Sequence, residues 1–309
     1  MRIVVTGGAG FIGSHLVDAF VARGHEVLVV DSLVSGRREN LPEGATLVVA
    51  DVRSDEAARA IEGFRPEVLC HQAAQMDVRR SVEDPVYDAD VNLVGLVKTF
   101  EAARRAGALQ HALFAGSGGA MYGEQQVFPA PEDHPVAPES PYGLAKAVGE
   151  QYLALFHRLF GVAYTALRYA NVYGPRQNPH GEAGVVAIFS QRLLDGQPIT
   201  IFGDGKQTRD FVYVGDVVEA NVRALEARLV GGYNVGTGVE TDVNELAKTI
   251  IDLTGADAEP TYAPARAGEQ QRSVISAKKL EEAIGFKPSV SLQEGLARTV
   301  EYFRQRKGA

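Results

Sequence analysis

The first half of the chain alternates between short apolar runs and longer stretches in which apolar residues recur at helical spacing. The apolar runs that are short enough for strands cover 3–5, 27–30, 47–49, 68–70, 112–114 and 164–167. Helical spacing covers 14–23, 54–64, 85–106 and 142–160. Strands without a polar face that alternate with helices predict an α/β fold with a doubly wound parallel sheet. Ligands of such sheets bind at the carboxyl ends of the strands.

The pattern changes after about residue 170, where glycine turns and short strands become frequent. An apolar strand from 211, a helix at 216–228 and a strand at 232–235 could rejoin the main sheet. Further helices are predicted at 185–194, from Asp242 and at 291–306. We therefore predict a smaller, mixed α/β substrate domain towards the C-terminus. The cofactor domain would comprise 1–170 and about 211–235, and the substrate domain about 171–210 and 236–309.

Composition and charge narrow the class of protein. The 33 glycines have no strict period and indicate many tight turns or close backbone approaches. The net charge of −8 argues against nucleic acid as a partner. The lone Cys70 lies in an apolar run and is predicted to be core, not a nucleophile. There is no Cys/His cluster with metal-ligand spacing and no apolar run near the roughly 20 residues of a membrane span, so the cytoplasm is the expected location.

Three glycines follow the first predicted strand and open the first helix. Gly7, Gly10 and Gly13 have the spacing of a dinucleotide-binding loop, in which glycine permits a tight turn and close approach to a pyrophosphate. The helix N-terminus at Phe11 and Ile12 would face the negative charge. This loop predicts a Rossmann-like nucleotide site; the alternative is a purely structural turn.

Acidic residues follow the second and third strands. Asp31, with Ser32 beside it, can accept hydrogen bonds from the adenosine ribose, which favours NAD over NADP. Arg37 and Arg38 lie just downstream and could instead hold a 2′-phosphate. Asp51 and Val52 end the third strand at a position suited to the adenine; the alternative for Asp51 is an acid at a helix N-terminus.

A tyrosine and a lysine share one face of the helix predicted at 142–160. Tyr142 and Lys146 are four residues apart, so the ammonium could lower the pKa of the phenol towards the range of a general base. Lys146 could also hold the nicotinamide ribose. Ser117, at the end of the fifth strand, could donate a hydrogen bond to the reacting oxygen. The alternatives are an ordinary amphipathic helix for the pair and turn chemistry for Ser117.

Over essentially its whole length the chain resembles the extended short-chain dehydrogenase/reductases, and among them the UDP-glucose 4-epimerase-like enzymes of sugar nucleotides. The resemblance is carried by six motifs: Thr6–Gly13, Asp31–Asn40, His71–Gln75, Tyr142-x-x-x-Lys146, Arg168–Pro175, and Gly203-Asp204-Gly205 with Arg209–Val212. It implies NAD as cofactor and a UDP-sugar as substrate. It also implies a homodimer formed by the helices at 85–106 and 142–160.

The resemblance also assigns site residues. Further cofactor contacts would come from Ala73, Ala74, Gln75, Asn92 and Tyr169. The nucleotide-sugar would be bound by Asn171, Val185, Val186, Arg209, Arg266 and Glu269, with both arginines on the diphosphate. For each arginine the alternative is a surface ion pair.

Two positions before Tyr122 bear on the reaction class. Related dehydratases carry an Asp-Glu pair where this chain has Gly119 and Ala120, so the resemblance implies epimerisation through a 4-keto sugar. Many epimerases have their hydroxyl at the position of Gly118, and Ser117 would replace it here. The small Ser273 would leave room for an N-acetyl group on the sugar. The alternatives are a UDP-uronic acid 4-epimerase and a non-catalytic NAD-binding scaffold.

Overall fold

The computed structural model describes residues 1–180, 184–265 and 270–307. Its described strands are β1 (Arg2–Thr6), β2 (Glu26–Asp31), β3 (Ala45–Val49), β4 (Val68–His71), β5 (His111–Ser117), β6 (Ala163–Tyr169), β7 (Asn171–Tyr173), β8 (Thr200–Phe202), β9 (Thr208–Arg209), β10 (Phe211–Tyr213), β11 (Gly231–Val235), β12 (Thr241–Asp242), β13 (Thr261–Ala263) and β14 (Arg272–Ser273). Its described α-helices are α1 (Phe11–Ala22), α2 (Asp55–Phe64), α3 (Val78–Glu83), α4 (Pro85–Ala89), α5 (Gly95–Arg105), α6 (Gly118–Tyr122), α7 (Pro141–Phe160), α8 (Val185–Leu194), α9 (Val214–Glu226), α10 (Val243–Thr254), α11 (Lys278–Ile284) and α12 (Leu292–Lys307).

Seven strands form a parallel sheet in the order β3-β2-β1-β4-β5-β6-β11. Alternate residues of each strand face opposite layers of helices. Val4 packs with α2, α5 and α7, whereas Ile3 and Val5 pack with α1 and α9. The strand order reverses between β1 and β4, and this is where sheets of this kind bind a ligand. The predicted doubly wound fold is confirmed.

The six strands predicted in the first half are confirmed, and Cys70 is buried in the core as predicted. The prediction of one continuous helix at 85–106 is wrong in one respect. The segment consists of α4, a π-helical turn at Asp90–Val94, and α5. The wider turn directs Asn92 inward, where its side chain is buried. Such π-turns often lie at functional sites.

A second core lies between α8, α10 and α12 and the short strands β7, β8 and β10. The prediction that the stretch 211–235 could rejoin the main sheet is confirmed for its second strand, because β11 pairs with β6. It is wrong for the strand at 211, because β10 pairs with β7 instead. Phe211 and Tyr213 contact the ring of Tyr173, so burial in the second core decides where β10 lies. The division into two domains stays a prediction. Within the described part of the chain, no helix is long and apolar enough to cross a membrane.

Candidate active site

The glycine loop lies at the point where the strand order reverses. Gly7 has a φ of +67°, and a Cβ atom on it would be 2.6 Å from the backbone nitrogen of Ala73. A Cβ atom on Gly13 would be 2.2 Å from the carbonyl oxygen of Gly7. Gly10 precedes the first turn of α1, which contains Phe11 and Ile12. The loop therefore needs glycine at 7 and 13, and it presents the N-terminus of α1 at the crevice of the sheet.

Asp31 ends β2, and its buried carboxylate organises the glycine loop. Its Oδ2 accepts a hydrogen bond from the backbone of Ala9 at 2.9 Å, and its Oδ1 accepts one from Leu33 at 2.8 Å. Asn40 donates to the carbonyl of Ala9 at 3.0 Å, a contact that the sequence reasoning missed. Ser32, next to Asp31, is exposed. Asp31 is thus placed to fix the loop as well as to meet a ribose.

The carboxylate of Asp51 forms an ion pair with Arg53. Arg53 donates to both of its carboxylate oxygens, at 2.9 and 2.7 Å, and this holds the pKa of Asp51 below its usual range. The N-cap of α2 is Ser54 and not Asp51. Val52 is buried against Gly95. A contact of Asp51 and Val52 with adenine stays a prediction.

Asn92 shapes the segment that follows β4. Its side chain accepts a hydrogen bond from the backbone nitrogen of Gln75 at 2.9 Å and donates to the carbonyl oxygen of Gln75 at 3.0 Å. Asn92 is therefore placed to position the neighbouring Ala73 and Ala74. The hydroxyl of Tyr169, another predicted cofactor contact, is bound to Asn221 on α9.

The predicted catalytic residues come together between β5 and α7. Ser140 caps α7, and a Cβ atom on Gly143 would be 2.2 Å from the carbonyl oxygen of Ala120, so α6 and α7 pack backbone to backbone. In this arrangement the side chain of Ser117 hydrogen-bonds to Tyr142. The Lys146 ammonium is buried, with Nζ 5.7 Å from the centre of the Tyr142 ring.

The electrostatics of this group differ from the expectation. Burial raises the pKa of Tyr142 to about 12, although the hydrogen bond from Ser117 acts in the opposite direction. Burial also lowers the pKa of Lys146 to about 8. Asp88 raises the pKa of Tyr142 as well. The predicted lowering is therefore not a property of the protein alone, although Lys146 lies 5.7 Å from the ring. It needs the positive charge of the nicotinamide close to the phenol in addition.

A largely buried ion pair anchors the catalytic helix to the sheet. Glu150, one turn after Lys146 on α7, binds Arg168 of β6 through two contacts of 2.8 and 2.9 Å. Arg168 also donates to the hydroxyl of Tyr122 at 2.7 Å. This network was missed by the sequence reasoning, which used Arg168 only as part of a motif.

The glycines after Ser117 face the small sheet β12-β9-β14. A Cβ atom on Gly118 would be 2.9 Å from Ile275, and one on Gly119 would be 2.7 Å from the Oγ atom of Ser273. Ser273 pairs with Arg209 across β14 and β9. The contact between Gly119 and Ser273 therefore joins two parts of the site. On one side is the segment that carries Ser117, and on the other is the strand pair that carries Arg209, the predicted diphosphate-binding residue.

Of the other predicted substrate-binding residues, the structure describes three. Asn171 is exposed at the start of β7. Val185 and Val186 form the first turn of α8, where backbone N–H groups have no partner within the helix. The Val186 side chain is buried, so only its backbone could meet a ligand. Arg266 and Glu269 lie outside the described residues.

The sheet order, the glycine loop and the group formed by Ser117, Tyr142 and Lys146 define a class, namely enzymes that bind a nicotinamide dinucleotide and act on a hydroxyl or carbonyl group. The chain belongs to the NAD dependent epimerase/dehydratase family, whose model matches residues 3–236. This confirms the resemblance and the prediction of an NAD-dependent enzyme.

Individual relatives match over nearly the whole chain. The UDP-glucose 4-epimerase of Mycolicibacterium smegmatis is 48% identical over an alignment of 314 positions that covers 99% of each chain. The crystal structure of UDP-glucose 4-epimerase with UDP-glucose from Thermotoga maritima has a TM-score of 0.97 at 48% identity, covering 99% of this chain and 100% of that one. The Thermus thermophilus UDP-glucose 4-epimerase in complex with NAD has a TM-score of 0.93 at 48% identity, covering 98% and 99%.

Proposed function

We infer that this protein is an NAD-dependent isomerase that inverts C4 of a UDP-hexose, with UDP-glucose and UDP-galactose as the primary pair. The observation that carries this inference is the contact between Gly119 and Ser273, which brings the Ser117–Tyr142 group next to Arg209. Arg209 would bind the diphosphate while Tyr142 acts on the sugar. The epimerase relatives, similar along nearly the whole chain, support this reading.

The cofactor site fits NAD. The close approaches at Gly7 and Gly13 shape a loop that a pyrophosphate can reach, and Asp31 lies where a ribose is expected. Lys146 would hold the nicotinamide ribose. Bound NAD would supply the hydride-accepting and hydride-donating chemistry at C4 of the sugar.

The protein's own groups handle the proton. Tyr142 would take the proton from the 4′-hydroxyl, with Ser117 donating a hydrogen bond to the same oxygen. The positive charges of Lys146 and of the bound nicotinamide would stabilise the phenolate that takes this proton, because burial and Asp88 both raise the pKa of Tyr142. After the 4-keto sugar has presented its other face, Tyr142 returns the proton. Binding energy should then be concentrated on the UDP moiety, away from the reacting carbon.

The surroundings of Gly119 support epimerisation over dehydration. A dehydratase needs a carboxylic acid close to the sugar, and Gly119 has no side chain to supply one; Ser273 Oγ lies 2.7 Å from its Cβ position. Ala120 carries no proton either. The reaction would therefore end with the second hydride transfer.

We also propose that the protein is a homodimer. Three apolar side chains on α4 and α7 are strongly exposed: Val86 at 78%, Leu159 at 62% and Leu144 at 53%. A second copy of α4, α5 and α7 would cover them. A cytoplasmic location stays a prediction.

The test is incubation with a panel of UDP-glucose, UDP-N-acetylglucosamine and UDP-glucuronic acid, followed by separation of the products. We expect the 4-epimer of UDP-glucose and, because Ser273 is small, that of UDP-N-acetylglucosamine. Conversion of UDP-glucuronic acid alone would instead indicate the uronic acid activity. The Tyr142→Phe variant should lose turnover by a factor of about 10² to 10⁴ and keep its NAD. Tyr302→Phe, the same change on α12, should behave like the parent; equal turnover in Tyr142→Phe would remove Tyr142 as the base.

A further inference from the structure

A buried aspartate beside the predicted diphosphate-binding arginine has no part in the reaction described above. Asp210 follows Arg209 directly, between β9 and β10, and only 1% of its surface is exposed. A buried carboxylate is costly unless hydrogen bonds or an opposite charge compensate it. The groups that bind Asp210 therefore indicate why a carboxylate lies at this position.

The loop that follows β11 closes around this carboxylate. Its Oδ1 accepts hydrogen bonds from the backbone nitrogen of Thr237 at 2.9 Å and from the Thr237 hydroxyl at 2.6 Å. Its Oδ2 accepts one from the backbone nitrogen of Gly238 at 3.1 Å. A Cβ atom on Gly236 would be 2.4 Å from the same oxygen, so the loop needs glycine there. Because β11 belongs to the seven-stranded sheet, the loop ties the side chain of Asp210 to that sheet.

The carboxylate also reaches the segment that packs against the catalytic residues. Its Oδ2 accepts a longer hydrogen bond, of 3.4 Å, from the backbone nitrogen of Ile275. The Ile275 side chain lies 2.9 Å from the Cβ position of Gly118, the residue after Ser117. It also lies 2.7 Å from the Cβ position of Gly236. Ile275 is thus held between the Asp210 loop and the segment that carries Ser117, with no space to spare on either side.

The main chain of Asp210 is bound to the other half of the predicted site. Its nitrogen donates a hydrogen bond to the carbonyl oxygen of Ser273 at 2.9 Å. Its carbonyl oxygen accepts one from the nitrogen of Asn171 at 2.9 Å. Asn171 and the adjacent Arg209 are both predicted to bind the nucleotide-sugar. One residue therefore joins the substrate-binding strands, through its main chain, to the main sheet and to Ile275, through its side chain.

We propose that Asp210 is a positioning residue that keeps the diphosphate-binding strands at a fixed distance from Ser117 and Tyr142. The proposal rests on the proposed function, because this distance matters only if the UDP moiety is bound on one side while the sugar reacts on the other. A misplacement of about 1 Å far from the chemistry can cost a factor of about 10² in rate. Loss of the carboxylate should therefore impair the chemical step more than it impairs the binding of UDP.

The test is Asp210→Asn in the full chain with NAD bound. Asparagine has nearly the same shape, but its NH₂ group replaces one acceptor oxygen and faces N–H donors. We expect kcat per bound NAD to fall by a factor of roughly 10 to 100, while the dissociation constant of UDP, measured by calorimetry, changes by less than about threefold. The limbs of the kcat profile against pH should not move, since Tyr142 and Lys146 are unchanged.

Asp216→Asn is the matched control. Asp216 is also buried, and it accepts hydrogen bonds of 2.9 to 3.2 Å from Ser289 and Val290. This variant should lose stability and yet keep the parent's kcat per bound NAD and its affinity for UDP. The proposal is overturned if Asp210→Asn keeps the parent's kcat per bound NAD. It is also overturned if UDP binding is lost in the same proportion as kcat, because Asp210 would then support the binding site alone.

A milder variant covers the case in which Asp210→Asn does not fold. Thr237→Val removes the hydroxyl that donates to Asp210 and keeps the backbone donor. It should lower kcat per bound NAD by roughly threefold at an unchanged affinity for UDP. Thr249→Val removes a hydroxyl from α10, where it donates to a backbone oxygen, and should have no effect. Equal kcat in the two threonine variants would overturn the proposal.

Amide hydrogen exchange supplies a measurement that needs no turnover. Because Ile275 lies against Gly118, the amides of α6 should exchange several-fold faster in the Asp210 or Thr237 variant and at the parent's rate in Asp216→Asn. Unchanged exchange in α6 overturns the proposal. A parent chain that converts no UDP-hexose would instead refute the proposed function, and the exchange of α6 would still decide whether Asp210 positions the catalytic segment.

Discussion

The Oγ atom of Ser273 lies 2.7 Å from the point where a Cβ atom on Gly119 would be. A side chain at position 119 and the side chain of Ser273 would therefore occupy the same space, although the two positions are far apart in sequence. Gly119 lies in α6 and Ser273 in β14. Ser273 is buried, so its hydroxyl would have to rotate into packed surroundings to make room for a side chain at position 119. A change at either position should thus be felt at the other.

We expect Gly119→Ala to lower kcat/KM for the UDP-hexose by roughly tenfold, because the new methyl group displaces Ser273 and the neighbouring Arg209. Ser273→Gly alone should cost little. The double variant Gly119→Ala/Ser273→Gly should recover most of the activity, since the glycine removes the clashing hydroxyl. Steady-state kinetics on the four chains of this cycle give the coupling. If the effects of the two single substitutions on kcat/KM simply add in the double variant, the side chains at 119 and 273 do not compete for the same space.

The second prediction concerns the glycine loop. Gly13→Ala places a methyl group 2.2 Å from the carbonyl oxygen of Gly7, so the loop or α1 must move. We expect a loss of about 1–3 kcal/mol in the free energy of unfolding and weaker NAD retention, measured by urea titration and cofactor absorbance. Gly63→Ala is the matched control, because nothing lies within 4 Å of its Cβ position in α2. That variant should be as stable as the parent or slightly more so.

The third prediction is a dependence of stability on acid. Burial lowers the pKa of His71 to about 3 from 6.5, so between these values the unfolded chain binds a proton that the folded chain does not. Stability is therefore full above pH 6.5 and falls as the pH drops towards 3. His71→Asn should flatten the plot of unfolding free energy against pH by up to about 1.4 kcal/mol per pH unit in this range. The exposed His180→Asn should leave the slope unchanged, and an unaltered slope in His71→Asn would show that His71 is protonated when folded.

The fourth prediction concerns the proposed homodimer. Leu159→Glu places a charge in the exposed apolar stripe of α7, so light scattering should report a fall from the mass of two chains to that of one. Val239→Glu introduces the same charge at a position that is 61% exposed but lies on the loop after β11. This control should remain a dimer. A parent protein that already has the mass of one chain would rule out the dimer.

Much of the cofactor half follows from local sequence. Apolar runs without a polar face identified β1 to β6, since a strand covered by helices on both sides must be apolar throughout. The glycine spacing placed the loop because only glycine permits the approach of residue 13 to residue 7. The helix spacing of Tyr142 and Lys146 put both on one face of α7.

Other features depend on contacts between distant parts of the chain, which periodicity does not encode. The break of the helix at Asp90–Val94 serves the hydrogen bonds of Asn92 with Gln75, and β10 leaves the main sheet to bury Phe211 and Tyr213. Tertiary structure likewise decided that Ser273 lies against Gly119 and that Lys146 is buried against Phe114. The sequence by itself determined the fold class and the reactive residue types, because both follow from local spacing. Only the tertiary structure decided their protonation and the shape of the pocket, because burial and packing arise when distant segments meet.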